Sequence, residues 1–287
     1  MESKKSSHPY LVAVSFGPDS MALLNMLIQQ EKNLVVCHVN YHKRKESDEE
    51  ERKLKAFCNE RNIPIHVLEA GHPLEHMNFQ AWARDIRYRF FASIYEKYQA
   101  QGLFVAHHAD DDVETFFMQK KKLLRVYGIQ EERMLYGMRV IRPLLSYRKR
   151  DLYHYCIEHH IPFSIDSSNL ENDYERNRIR HSIVEQLSDE EVHQYQEEKR
   201  KLNKKRAEQF LTIEEVYQDN SINISAFLKL DKECQSLCLH DFIYRYLPQY
   251  SFSKYKGELI LEAIYSKKPN WRMVLEKPYS LVKAYEV

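Results

Sequence analysis

A chain of 287 residues is long enough for one large domain or two modest ones, and its net charge of +1 excludes a global attraction to polyanions, so that any such attraction must be local. The five cysteines, Cys37, Cys58, Cys156, Cys234 and Cys238, are odd in number, scattered and without a C-x-x-C pair, which excludes a disulfide framework or a zinc ribbon and fits a reducing compartment. "MESKKSSHPY" at the N-terminus has no apolar signal region and no later run has the length of a membrane span, so a soluble, cytoplasmic protein with no membrane partner is expected.

In chain order, Tyr10 to Val14 is a continuous apolar run, followed by similar runs at Leu34 to Val39, Ile65 to Leu68 and Leu103 to Ala106. Continuous rather than alternating apolarity suits strands buried on both faces, as in parallel sheets. Helical patterns lie between them. Met21, Leu24 and Ile28 share one face, Glu49 to Glu60 is charged and amphipathic, Phe79 to Tyr98 is long and aromatic, and Val113 to Leu124 follows the fourth strand. The alternation predicts βαβ crossovers and an α/β, doubly wound, mostly parallel sheet over residues 1–185. The composition then shifts. "SDEEVHQYQEEKRKLNKKRAEQF" reads as a solvated helix or linker within 186–221, and the apolar stretches of 222–287 predict a smaller, mainly helical C-terminal domain. Cys234 and Cys238, four apart, are expected on one helical face in its core.

Open parallel sheets bind ligands at the carboxyl ends of their strands, so the residues there carry the functional signal. After the first strand stands "SFGPDS". A strand-loop-helix turn offers backbone N–H groups and the positive end of a helix dipole, a combination that binds phosphate. Gly17 is expected to supply a backbone angle other residues resist. Ser15 and Ser20 supply hydroxyls, Pro18 fits the first helical position, and Asp19 can hold Mg²⁺ beside phosphates. A capped helix start explains the same residues without a ligand. After the second strand comes "CHVNYHKR", bordering the same crevice or forming a polar surface loop. In "AWARDIRYRFF", Arg84 and Arg87 are three apart, either a solvated face or a phosphate clamp. After the fourth strand, six of the ten residues of "AHHADDDVET" are His, Asp or Glu. They read as an acid-rich helix start with Asp110 as cap, as a metal site, or as a carboxylate pocket in which Asp111 and Glu114 share a face.

From Met118 to Arg150 ten Lys or Arg face only Glu131 and Glu132, a local charge of +8 that fits a polyanion footprint better than solvated lysines alone. Asp166, Asn169, Arg176, Asn177 and Arg180 then form a dense polar set.

The first of these motifs resembles the S-G-G-x-D-S pyrophosphate loop of the N-type ATP pyrophosphatases: Ser15, Gly17, Asp19 and Ser20 match, and Phe16 stands where glycine is usual. With His38-Val39-Asn40-Tyr41, Ala83-Arg84-Asp85-Ile86-Arg87-Tyr88, His107 to Thr115, Arg142-Pro143-Leu144 and Asp166 to Arg180, in that order, the chain resembles the tRNA-Ile-lysidine synthetase family, with Tyr41 replacing a histidine. The resemblance implies an adenine nucleotide alpha hydrolase-like fold and ligation of free L-lysine to C2 of the wobble cytidine in an isoleucine tRNA with a CAU anticodon. ATP is cleaved to AMP and pyrophosphate, by way of an adenylated base. It implies ATP contacts from Ser15, Phe16, Gly17, Pro18, Asp19, Ser20, His38 and Asn40, with Mg²⁺ on Asp19. Lysine would meet Asp111 and Glu114, and Arg84 or Arg87 would face the α-phosphate or the substrate. His108 would handle a proton near the amine. Lys121, Lys122, Arg142, Arg148, Arg176, Asn177 and Arg180 would meet tRNA. The oligomeric state stays open, a dimer included. Two rivals fit less well: thiolation chemistry calls for C-x-x-C pairs, and a nucleotide sensor has no use for "HHADDDVET" or a basic stripe.

Overall fold

The computed structural model describes residues 8–42, 46–71, 73, 78–120, 122–165, 175–247, 250, 252–266 and 270–283. In chain order the elements are β1 (Tyr10–Ala13), α1 (Pro18–Gln29), β2 (Leu34–Asn40), α2 (Ser47–Glu60), β3 (Ile65–Glu69), α3 (Phe79–Tyr98), β4 (Leu103–Phe104) and α4 (Ala109–Gln119). The hairpin β5 (Glu132–Leu135) and β6 (Met138–Ile141) follows, then α5 (Lys149–Glu158) and α6 (Glu175–Ser182). The remainder holds α7 (Asp189–Glu214), β7 (Tyr217–Gln218), β8 (Ser221–Ile222), α8 (Ile224–Phe227), α9 (Lys232–Tyr246), α10 (Lys254–Tyr265), β9 (Trp271–Glu276) and β10 (Tyr279–Lys283).

Six strands form one sheet in the order β3-β2-β1-β4-β6-β5, parallel throughout except for β5 against β6. Successive residues of β1 serve opposite faces. Val12 and Val14 pack with Met21, Leu24, Leu54, Leu152 and Cys156. Leu11 packs with Val35, Cys37, Tyr88, Phe91, Ile94 and Val140. Both faces are covered by helices, which is why the strands read as unbroken apolar runs. The sheet winds outward from β1 through β2 to β3 and then resumes on the other side with β4. The gap between the carboxyl ends of β1 and β4 is therefore the topological switch point, where open sheets bind ligands.

The β5–β6 hairpin lies in the middle of the basic stripe and carries no continuous apolar run. Its two-residue turn, Tyr136-Gly137, has φ of 50° and 77°, the left-handed pair of a type I′ connection. Arg139 of β6 pairs with Glu132 of β5 across the ladder, so part of the stripe is neutralised within the hairpin.

The chain divides into two compact units, one of residues 1–117 and 128–194, the other of 118–127 and 195–287. This differs from the contiguous segments expected, 1–185, 186–221 and 222–287. Ser188 to Phe210 falls largely within the single 26-residue helix α7, and residues 118–127 join the second unit. There Tyr127 is buried, its N–H donating to Asn203 Oδ1 at 2.8 Å and its carbonyl accepting from Asn203 Nδ2 at 3.0 Å. The second core gathers Phe210, Ile213, Phe227, Leu237, Ile243 and Ile260, with Cys234 and Cys238 inside it as their spacing predicts. Among the described residues no helix is long and apolar enough to cross a membrane.

Candidate active site

The loop after β1 is knitted by its own serines. Ser15 N–H donates to Ser20 Oγ at 3.1 Å, Ser20 Oγ donates to the Gly17 carbonyl at 3.0 Å, and the two hydroxyls are 3.2 Å apart. Pro18 opens α1, as expected. The left-handed backbone angle, however, falls on Phe16, with φ of 68°, while Gly17 is extended at φ −76°, ψ 164°. The expectation that Gly17 would carry the special angle is therefore corrected. An L-residue in that region costs roughly 1–2 kcal/mol. Burial of a phenylalanine side chain returns roughly 1.5–3 kcal/mol, and the Phe16 side chain is fully buried.

Asp19 projects from the first turn of α1. Its Oδ1 is buried with no hydrogen-bond partner, and its Oδ2 stands 3.7 Å from His108 Nε2. Burial raises its carboxyl above the usual range. His108 opposes the shift, Asp111 adds to it, and Lys149 and Arg180 oppose it more weakly.

The β4 end differs in kind. His108 is buried, with its Nε2 3.4 Å from Asp111 and its Nδ1 3.6 Å from Asp110. Asp110 accepts from Arg148 Nε at 2.8 Å and from the Lys149 backbone N–H at 2.7 Å. Asp112 Oδ1 accepts from Ile129 N–H at 2.7 Å. Glu114, fully buried, is gripped by Arg180 through two hydrogen bonds of 2.5 and 3.1 Å, and Arg180 also lies 3.6 Å from Asp111.

Several sequence expectations change as a result. Glu114, expected to position lysine, is ion-paired with Arg180, itself expected on tRNA. Arg148 is buried between Asp110 and Asp189, at 2.8 and 2.9 Å, and so does not serve as an open phosphate contact. Arg142 is turned into the hairpin connection, donating to the Gln130 carbonyl at 2.7 Å. Asn40, expected at ATP, is buried and donates to Asp48 and Glu51 while accepting from His42 N–H; these bonds fasten β2 to α2. His38 hydrogen-bonds the Val14 carbonyl at 2.8 Å, directly below the phosphate loop, and burial lowers its affinity for a proton. The two arginines of α3 separate. Arg84 lies over the Tyr88 ring at 4.8 Å, whereas the charge of Arg87 acts on Tyr41, just beyond β2. Lys122 is exposed. Lys121, Asp166 and Asn169, and the side chains of Arg176 and Asn177, lie outside the described residues.

A cavity of about 410 Å³ adjoins the switch point, lined by Pro18, Glu114, Lys149, Tyr153, Arg180 and Glu185 among others. Lys149 is the site residue the sequence hid. It is one of ten cations in the basic stripe, and only the fold brings it beside Asp19. Among the described residues no three-ligand metal cluster occurs. A Mg²⁺ held by one carboxylate together with phosphate oxygens requires none, and Asp19 Oδ1 fits that demand.

A model of the PP-loop domain matches residues 1–187. The tRNA(Ile)-lysidine synthase of Ureaplasma parvum is 37% identical over 249 residues, covering 83% of this chain and 74% of that protein. The enzyme of the same name from Mesoplasma florum is 33% identical over 293 residues, covering 96% and 72%. Among solved structures, the U34-tRNA thiolase NcsA from Methanococcus maripaludis is 16% identical, with a TM-score of 0.47 over 64% of this chain and 74% of that one.

Proposed function

The chain belongs to the PP-loop family of tRNA(Ile)-lysidine synthases, and from that premise we propose how its strand-end crevice converts a wobble cytidine to lysidine. The cytidine C2 oxygen attacks the α-phosphate of ATP and pyrophosphate leaves. The ε-amine of free lysine then attacks C2, a proton leaves the amine, and AMP departs. The observation that carries this reading is the juxtaposition, at one switch point, of a serine-knitted phosphate loop bearing Asp19 and a buried His-carboxylate network.

In this reading Ser15 to Ser20 hold the β- and γ-phosphates at the start of α1, where the helix dipole favours negative charge. Mg²⁺ at Asp19 Oδ1 would supply positive charge against the leaving pyrophosphate. Lys149, half-buried beside Asp19, adds a cation there. Arg87, on the Tyr41 side of the crevice, faces the α-phosphate in preference to Arg84. Free lysine takes the cavity that adjoins the loop. Its lining carries both signs of charge, as an amino acid with one carboxylate and two ammonium groups requires. Asp111 is the carboxylate offered to the incoming amine, and the Arg180–Glu114 pair orients that wall. His108, enclosed by carboxylates, is placed to take the proton the amine releases. Lys122 is proposed as a tRNA-phosphate contact.

The test is a mass spectrum of isoleucine tRNA bearing the CAU anticodon after incubation with ATP and lysine. A gain equal to lysine less water, located at the wobble base, is expected. Pyrophosphate release without that gain would reduce the reading to adenylation alone.

A further inference from the structure

We infer that Phe16 is a positioning residue for ATP, an apolar anchor that sets the phosphate loop before nucleotide arrives. The inference rests on the reading of Ser15 to Ser20 as the ATP loop.

Phe16 stands at φ 68° with a side chain that is 1% exposed, sunk among Val14, Met21, Leu144, Leu152 and Ile161. Its carbonyl accepts from Ser164 N–H at 3.0 Å. Two residues on, the Pro18 carbonyl accepts from Cys156 Sγ at 3.3 Å. The loop is thus pinned from below by a ring and from the side by α5 and the strand of chain that leaves it. That segment continues to Ile165, which shares the lining of the 410 Å³ cavity with Pro18. Phe16 and Pro18 together thus tie the phosphate loop to α5 and to the segment that leads into the cavity wall.

The conformation also argues for position over packing. A core site reached by ordinary backbone angles would give the same burial without left-handed strain. Gly17, next in sequence, is extended, and a Cβ built on it meets only Ser15 Oγ, at an ordinary 3.5 Å. The unusual angle thus sits on the residue whose side chain locks it. Glycine at 16 would accept the angle freely but would also leave it freely. The loop would then sample other shapes, and ATP affinity would fall by the fraction of time the competent shape is lost.

The experiment is equilibrium dialysis of radiolabelled ATP with Mg²⁺ on the full chain, with thermal melts alongside. Phe16→Gly is expected to weaken ATP binding about 10-fold. Phe16→Leu, which keeps an apolar anchor, should stay within about 3-fold of the parent. Leu152→Ala, a cavity in the same core, should lower the melting temperature at least as much as Phe16→Gly while leaving ATP affinity within about 3-fold. Equal losses of affinity in Phe16→Gly and Leu152→Ala would make Phe16 mere packing and overturn the inference, as would unchanged affinity in Phe16→Gly. No ATP binding by the parent chain would overturn the reading of the loop and this inference with it. Should Phe16→Gly not fold, hydrogen exchange of the parent decides. Without ATP, the Ser164 amide should be as protected as that of Ile161, and an unprotected Ser164 amide would overturn the anchor.

Discussion

The carboxyl ends of β1 and β4 lie side by side at the switch point, yet they are built in opposite ways. After β4 three acids are fixed by strong partners: Asp110 by Arg148 and Lys149 N–H, Asp112 by Ile129 N–H, Glu114 by Arg180. After β1 a single acid, Asp19, keeps a buried oxygen without a partner. Acid density thus points to the better-furnished wall, while the acceptor suited to a cation belongs to the sparser one. A prebuilt ion network holds shape; an unsatisfied carboxylate holds potential for binding.

The contrast breaks first at Asp19. Asp19→Asn should lower pyrophosphate release by roughly 10²–10³-fold in kcat while tRNA binding persists. Burial raises this carboxyl, so ionising it costs the folded state. That cost is absent below the ordinary carboxylate range and complete above the raised one. Asp19→Asn should therefore melt higher than the parent near neutral pH in the absence of nucleotide, and the gain should vanish on acidification. A lower melting point at neutral pH would show that Asp19 is structural.

Arg148 tests the other wall. Arg148→Met leaves Asp110 buried without its cation and should cost about 3–5 kcal/mol by denaturant titration. Adding Asp110→Asn should recover part of that loss. A stable Arg148→Met variant with a flattened salt dependence of tRNA binding would return Arg148 to the tRNA surface.

Glu114→Gln weakens a charge-assisted, bidentate pair and should cost about 1.5–3 kcal/mol. Its apparent KM for lysine should rise more than that for ATP. The reverse ranking would move the pair to the nucleotide side. The smallest effect belongs to Lys122. Lys122→Ala should flatten the slope of log affinity for tRNA against log salt by about 0.7–0.9, one phosphate contact. An unchanged slope would leave this lysine merely solvated.

How far the sequence discloses this contrast depends on the range of the interactions. Four of the five parallel strands were legible because burial on both faces makes them continuously apolar, as at Leu34 to Val39. The places of the phosphate loop and the acidic motif were legible because strand order alone brings them together. The ion pairs were not: Arg180–Glu114 spans 66 residues and Arg148–Asp110 spans 38, separations that no periodicity announces. The hairpin stayed hidden because Arg139 and Glu132, partners across its edge, read in sequence as members of a charge run. The swapped angles of Phe16 and Gly17 stayed hidden for a different reason. Composition favours glycine for a left-handed position, but tertiary burial can hold a phenylalanine there.

The interleaving of the two units has a consequence for synthesis on the ribosome. Residues 118–127 emerge before the hairpin, α5 and α6 of the first unit, yet Tyr127 must wait for Asn203, 76 residues later, to receive its hydrogen bonds. At roughly 5–20 residues per second that is a delay of roughly 4–15 s. During it, Leu123 lacks the core it packs against and Tyr127 lacks its hydrogen-bond partner. The sheet of the first unit can form in the meantime, but the second unit cannot begin in earnest until α7 has been translated. A nascent chain stalled near residue 194 should therefore carry a finished sheet and an exposed, protease-sensitive loop in its middle, and the same loop should become resistant once translation runs to the end.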